Sequence, residues 1–167
     1  MKHVKVPQDR IGVLIGEGGE TMREIERQAD VRLDIDSESG AVAIDVVGDP
    51  VSGMLAPDIV RAIGRGFTPE SALSLLDDDL RTFELVDLDS HTRNKNDLRR
   101  QKGRLIGEDG RTRELMEELT GAEVVIKGST LGVIGQQEEV NAVRRAVGMI
   151  LDGAPHGAVY SFLERKH

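Results

Sequence analysis

The residues best placed to do chemistry come as a pair of phrases, Leu14-Ile15-Gly16-Glu17-Gly18-Gly19 and Leu105-Ile106-Gly107-Glu108-Asp109-Gly110. Each sets a Gly-x-x-Gly turn between an apolar segment and a stretch with helical spacing. Glycine at both ends removes the Cβ that would hold a ligand at a distance, and it permits positive φ. The helix that follows offers free amides and the positive end of its dipole, which suits an anion. The chemistry is therefore binding, with main chain brought close to a charged ligand. The basic residues reinforce this. Between His91 and Arg113, Arg93, Lys95, Arg99, Arg100, Lys102, Arg104, Arg111 and Arg113 are opposed only by Asp97, Glu108 and Asp109, in a chain whose net charge is −8. A basic run that ends at a backbone-exposing turn is expected to track phosphates. The first phrase has only Arg10, Arg23 and Arg27 nearby, offset by Glu20 and Glu24.

Catalytic chemistry finds no comparable support. Neither phrase continues into Gly-Lys-Ser/Thr, and neither forms Gly-x-Gly-x-x-Gly after a strand. The chain has no cysteine, and His3, His91, His156 and His167 have no metal-ligand spacing. Asp77, Asp78 and Asp79 read as a solvated helix end. With no nucleophile, base and orienting group to combine, neither an enzyme nor a cofactor is expected.

The elements that must position the two turns follow the same order twice. Lys2 to Pro7 alternates as a strand, Arg10 to Ile15 is a helical turn, and Thr21 to Ala29 is a helix. Thr21 with Glu24 is expected to form a capping box. Val31 to Ile35 and Ala41 to Val47 are strands across a turn at Ser37 to Gly40, and a helix from Pro50 to Arg65 closes the unit, with Pro57 bending it or marking its first turn. The second copy runs through a strand Thr82 to Leu88, a polar loop Asp89 to Asp97, helices Leu98 to Ile106 and Arg111 to Thr120, strands Glu123 to Lys127 and Thr130 to Ile134, and a helix Glu138 to Leu151. Gly16 and Gly107 are 91 positions apart. The expected domains are 1–66 and 82–152, joined by a connecting helix over 67–81. The tail, 153–167, is expected to cap the second core through Val159, Phe162 and Leu163.

Composition adds two constraints. There is no tryptophan, one tyrosine and three phenylalanines, too few aromatics for a base-stacking platform such as an RRM. Six lysines against sixteen arginines, with fifteen aspartates and fifteen glutamates, suit a surface that stays soluble in high salt. No secretory signal, bilayer-spanning run or lipidation motif is present, so a cytoplasmic protein without a membrane partner is expected.

The doubled βααββα order, with the glycine turn between its first two helices, resembles the type I KH domain. The implied fold class is α+β, two tandem type I KH domains joined by a helical connector. Leu105-Ile106-Gly107-Glu108-Asp109-Gly110-Arg111-Thr112-Arg113, then Thr120-Gly121, then Gly153-Ala154-Pro155-His156-Gly157-Ala158-Val159-Tyr160-Ser161-Phe162-Leu163-Glu164, closely resemble archaeal two-KH ribosome-assembly proteins, relatives of the eukaryotic partner-of-Nob protein. The tail phrase is the most specific part. The resemblance implies binding of single-stranded RNA, about four nucleotides per module, near the 3′ end of small-subunit rRNA. It implies work beside a PIN-domain rRNA endonuclease, the rRNA dimethyltransferase and the alpha subunit of initiation factor two. The RNA-binding residues expected are Gly107, Glu108, Asp109, Gly110, Arg111 and Arg113 with Arg99, Arg100, Lys102 and Arg104. The carry-over is strongest for Gly107, Gly110, Arg111 and Arg113 and weaker for Gly16 and Gly19, and Glu17, Gly18, Arg10 and Arg23 complete the expected set. Glu17, Glu108 and Asp109 stand where the family usually has basic or neutral residues. Two other readings stay open: a general single-stranded RNA-binding KH protein, exosome-like or regulatory, and a protein-docking adaptor.

Overall fold

A computed structural model describes residues 1–165, which divide into two compact units, 1–79 and 80–165. The first contains β1 (Lys2–Lys5), α1 (Gln8–Ile15), a 3-10 turn at Glu17–Gly19, α2 (Glu20–Ala29), β2 (Val31–Ile35), β3 (Ala41–Val46), α3 (Pro50–Gly64) and α4 (Pro69–Leu73). Its sheet is antiparallel in the order β1-β3-β2, with Leu33 opposite Ile44 and Lys5 opposite Ala41. Alternation decides which face is buried: Val31, Leu33, Val42 and Ile44 turn inward onto Ile25, Ile59 and Ile63 of the helices, while Arg32 and Asp34 face solvent.

The second unit repeats the plan with β4 (Arg81–Asp87), α5 (Lys95–Ile106), a 3-10 turn at Glu108–Gly110, α6 (Arg111–Thr120), β5 (Glu123–Lys127), β6 (Thr130–Gln136) and α7 (Gln137–Leu151), then adds α8 (His156–Arg165). Strand order is again antiparallel, β4-β6-β5. The core joins Leu105, Met116, Val124, Leu131 and Val133 to Val143, Val147 and Ile150 of α7, with Val159, Phe162 and Leu163 of α8. This is the α+β arrangement of two KH folds that the element order predicts.

Local chemistry shifts several boundaries. Thr21 is not the cap of α2. The helix starts at Glu20 behind Gly19, whose φ of 80° feeds the chain straight into the first turn, and no side chain caps it. α3 begins at Pro50, with the Asp49 carboxylate accepting the Val51 amide at 3.1 Å, so Pro57 lies inside the helix and not at its start. The polar stretch before α5 is partly ordered. Asn94 caps the helix by accepting the Asp97 amide at 2.9 Å, and Asp97 in turn accepts the Arg93 amide at 3.0 Å. Thr68 caps α4 by accepting the Ser71 amide at 3.1 Å, and a 3-10 turn at Ser74–Leu76 continues it.

Candidate nucleic-acid interface

The two glycine turns are nearly superimposable in backbone. Gly16 and Gly107 have φ, ψ of 75°, 175° and 79°, 172°, a region only glycine enters without strain. A Cβ on Gly107 would strike the Thr112 amide nitrogen at 2.6 Å, and one on Gly16 would strike that of Thr21 at 2.8 Å. The first glycine of each turn is thus required by the chain's own packing. The last glycine faces outward in the second copy, where a Cβ on Gly110 would meet nothing within 4 Å. Among the described residues no side chain caps α6; the Arg111 amide donates to the Glu108 carbonyl, and the Thr112 amide packs beneath Gly107. Asp109 takes a left-handed φ of 54° where Gly18 takes 61° in the first copy, a conformation aspartate tolerates better than most residues.

Beside the second turn runs a groove of about 620 Å³ between one face of α5 and the β5–β6 turn. Leu98, Gly103 and Ile106 supply apolar wall, Gly128 and Ser129 the opposite lip, and Lys95, Arg99 and Lys102 the basic rim. The side chains of these three cations make no hydrogen bond or ion pair among the described residues. Gly103 sits mid-helix, where glycine costs about 1 kcal/mol relative to alanine, yet a Cβ there would touch nothing within 4 Å. Its effect is to keep the groove wide. Arg99 and Lys102 are among the RNA-binding residues expected from sequence and Lys95 belongs to the basic run, whereas Leu98, Gly103, Ile106, Gly128 and Ser129 are not in the expected set. The signal was present: residues 95, 98, 99, 102, 103 and 106 recur at helical spacing on one face.

The other expected cations go elsewhere. Asp97, only 8% exposed at its side chain, pairs with Arg100 at 2.6 Å and with Arg93 at 3.8 Å. The Arg93 amide and the Arg100 guanidinium hold its carboxyl below the usual aspartate range. Arg104 points to the back of α5, donating to the Ile150 carbonyl at 2.7 Å and to that of Ala154. Arg113 pairs with Glu117 at 2.8 Å, whereas Arg111 reaches Glu118 only at 3.9 Å and remains largely exposed beside the turn. In the first unit Arg10 donates to the Ile63 and Phe67 carbonyls, both at 2.8 Å, and Arg23 folds back onto the Gly18 carbonyl at 3.0 Å. Arg10 and Arg104 therefore hold closing helices in place.

The first unit has no matching basic rim. Ninety-one positions before Arg99, Lys102 and Ile106 stand Gln8, Ile11 and Ile15. The Gln8 side-chain amide donates to the Glu38 carbonyl, bridging α1 to the β2–β3 turn across the space that stays open in the second unit. Among the described residues no group of histidine, aspartate and glutamate is arranged to hold a metal, and no helix is long and apolar enough to cross a membrane.

Comparison with known proteins agrees with this geometry. The profile of the eukaryotic-type KH domain (KH domain type I) matches residues 82–167, and a general KH-domain profile matches residues 1–55. A KH domain-containing protein of Methanocaldococcus jannaschii is 45% identical over 98% of this chain and 72% of its own length. The pre-rRNA-processing protein pno1 of Emericella nidulans is 37% identical over 65% of this chain, but the match spans only 43% of that protein. Among solved structures, Dim2p from Pyrococcus horikoshii superposes with a TM-score of 0.91 at 42% identity, covering 98% of both chains. A chain of the a/eIF2alpha–aDim2p–rRNA complex from the same organism gives a TM-score of 0.92 at 41% identity, covering 99% of this chain and 92% of that one. With both glycine turns, both sheets and full-length similarity in place, the chain belongs to the family of two-KH proteins that includes archaeal Dim2p and the eukaryotic PNO1 pre-rRNA-processing proteins.

Proposed function

We propose that this protein is a non-catalytic RNA-binding factor for maturation of the small ribosomal subunit, which engages single-stranded rRNA near its 3′ end through the second unit. The observation that carries this is the basic-rimmed groove along α5, the helix that leads into the second glycine turn. Lys95, Arg99 and Lys102 rim a slot whose lining reaches Ile106, the residue before Gly107. Phosphates run along the rim and over the turn, and bases rest on Leu98, Gly103 and Ile106. Aliphatic walls serve where stacking aromatics are absent. The first unit, with Gln8 bridged to Glu38 and Glu17 in its turn, is assigned to protein docking and not to RNA.

The relatives support the biological setting. Several carry the name pre-rRNA-processing protein, and the Pyrococcus relative is seen in a complex with rRNA and the initiation factor two alpha subunit. We assign this chain the same alpha-subunit partner, together with a PIN-domain rRNA endonuclease and the rRNA dimethyltransferase, working in the cytoplasm. Crosslinking the protein to RNA in its own cells tests the assignment. Reads concentrated at the small-subunit rRNA 3′ end are expected. Reads scattered over messenger RNAs would replace it with a general single-stranded RNA-binding role, and no crosslinks at any salt would leave a protein adaptor.

A further inference from the structure

The second glycine turn is gripped from behind by α8. At the start of that helix, His156 Nε2 lies 2.9 Å from the Arg104 carbonyl, in the last turn of α5 before Gly107. One turn further on, the Tyr160 hydroxyl lies 2.8 Å from Thr112 Oγ1, in the first turn of α6 after Gly110. The two rings sit with centroids 6.0 Å apart. Arg104 closes the circuit by donating to the Ile150 and Ala154 carbonyls, at the end of α7 and on the segment leading into α8. Both helices that flank the turn are therefore tied to one C-terminal segment. Thr112 is the joint. It is 2% exposed, and its amide and side chain are the atoms that a Cβ on Gly107 would strike. Wherever Thr112 is held, Gly107 must follow. The first unit serves as an internal comparison: Gly16 packs on Thr21 in the same way, but Tyr160 is the chain's single tyrosine, so no phenol stands behind Thr21.

We propose that α8 is a clamp that presets the second glycine turn for its ligand, with Tyr160 and His156 as positioning residues that act through Thr112 and the Arg104 carbonyl. This rests on reading that turn as an RNA contact. A turn already fixed in its bound shape loses less conformational freedom on binding, so affinity depends on a hydroxyl that never touches RNA.

The test uses the full chain with Tyr160→Phe, Thr112→Val, Thr112→Ser and the Thr112→Val/Tyr160→Phe pair. Amide hydrogen exchange is measured without RNA, and affinity with a fluorescein-labelled RNA carrying the small-subunit rRNA 3′ end. Tyr160→Phe is expected to speed exchange at Gly107–Arg111 while β5 and β6 keep their protection, and to weaken RNA binding by about threefold to tenfold, the equivalent of one net hydrogen bond. Thr112→Ser, which keeps the hydroxyl, should match the wild type. The double variant should bind no worse than the weaker single variant, because both remove one interaction. Unchanged exchange at the turn, acceleration spread evenly over the unit, or additive losses in the pair would each overturn the clamp. If the wild-type chain binds no RNA, the RNA reading falls, and the exchange measurement still decides the clamp.

Discussion

The Arg113 guanidinium meets the Glu117 carboxylate at 2.8 Å one turn apart on α6, and the second oxygen of that carboxylate accepts the Val124 amide at 2.9 Å. Arg113 also reaches the Val124 carbonyl at 3.3 Å. Helix α6 is thus strapped to β5 by a carboxylate that an arginine holds in place. The first unit has the same strap, with Glu26 accepting the Leu33 amide at 2.8 Å, but Met22 stands where Arg113 would be. Arg113 sits next to a glycine turn, yet its side chain is committed to the fold.

Arg113→Ala is accordingly expected to lower unfolding free energy by about 1 kcal/mol, the scale of a half-exposed ion pair with one further hydrogen bond. Its RNA affinity, measured where the variant remains folded, should fall less than that of Lys102→Ala. Urea denaturation and fluorescence anisotropy on the same samples check the pair of outcomes. A large affinity loss with unchanged stability would return Arg113 to the interface.

The groove rim makes a sharper prediction through salt. If Arg99 and Lys102 each neutralise one phosphate, Arg99→Gln/Lys102→Gln should flatten the slope of log affinity against log salt by about 1.4, at about 0.7 per contact for single strands. Arg104→Gln should leave the slope alone and reduce thermal stability, since its guanidinium serves the Ile150 and Ala154 carbonyls. The corresponding change in the first unit, Gln8→Ala, removes the bridge to Glu38 and should not alter the slope.

Asp97 sets an acid limit on the second unit. Its carboxyl is held below the ordinary range by the Arg93 amide and Arg100, so the folded state binds its proton less readily than the unfolded chain. The stability it supplies is complete above the unfolded value of about 3.9 and is lost as pH falls through the lower folded value. Asp97→Asn should therefore reduce stability at neutral pH and flatten its decline on acidification. Melting curves from neutral pH into the acid range measure both.

Much of this was legible in the sequence because it is local. The alternation of Val31, Leu33 and Ile35 is enough to place β2, and the repeated Leu-Ile-Gly phrase fixes both turns. Thr21 shows where local rules mislead. Thr-x-x-Glu matches a capping box, but the left-handed Gly19 starts the helix one residue earlier, and the threonine packs under Gly16 instead. The arginines show a second limit. Arg99 and Arg100 are neighbours in sequence but about 100° apart around the helix, so one rims the groove and the other pairs with Asp97. Counting charge says nothing about facing. The contact of Thr112 with Tyr160 spans 48 residues, and no local pattern announces it.

Asp109 is the position where fold and function disagree most openly. Its φ of 54° is one that glycine enters more easily, and Gly18 holds the equivalent place in the first turn. Its carboxylate also stands on the turn proposed to contact phosphate, so it opposes the ligand that Lys95, Arg99 and Lys102 attract. Asp109→Gly should therefore leave the turn intact and strengthen RNA binding severalfold in dilute buffer. The gain should shrink as salt rises, since the screening length falls from about 10 Å at 0.1 M to about 3 Å at 1 M. Asp109→Asn separates the two effects, because it removes the charge but keeps a side chain suited to positive φ. Equal gains from both variants would assign the effect to charge, and a gain confined to glycine would assign it to closer approach of the backbone. If neither variant binds more tightly than the wild type at any salt, phosphates do not cross the turn at Asp109.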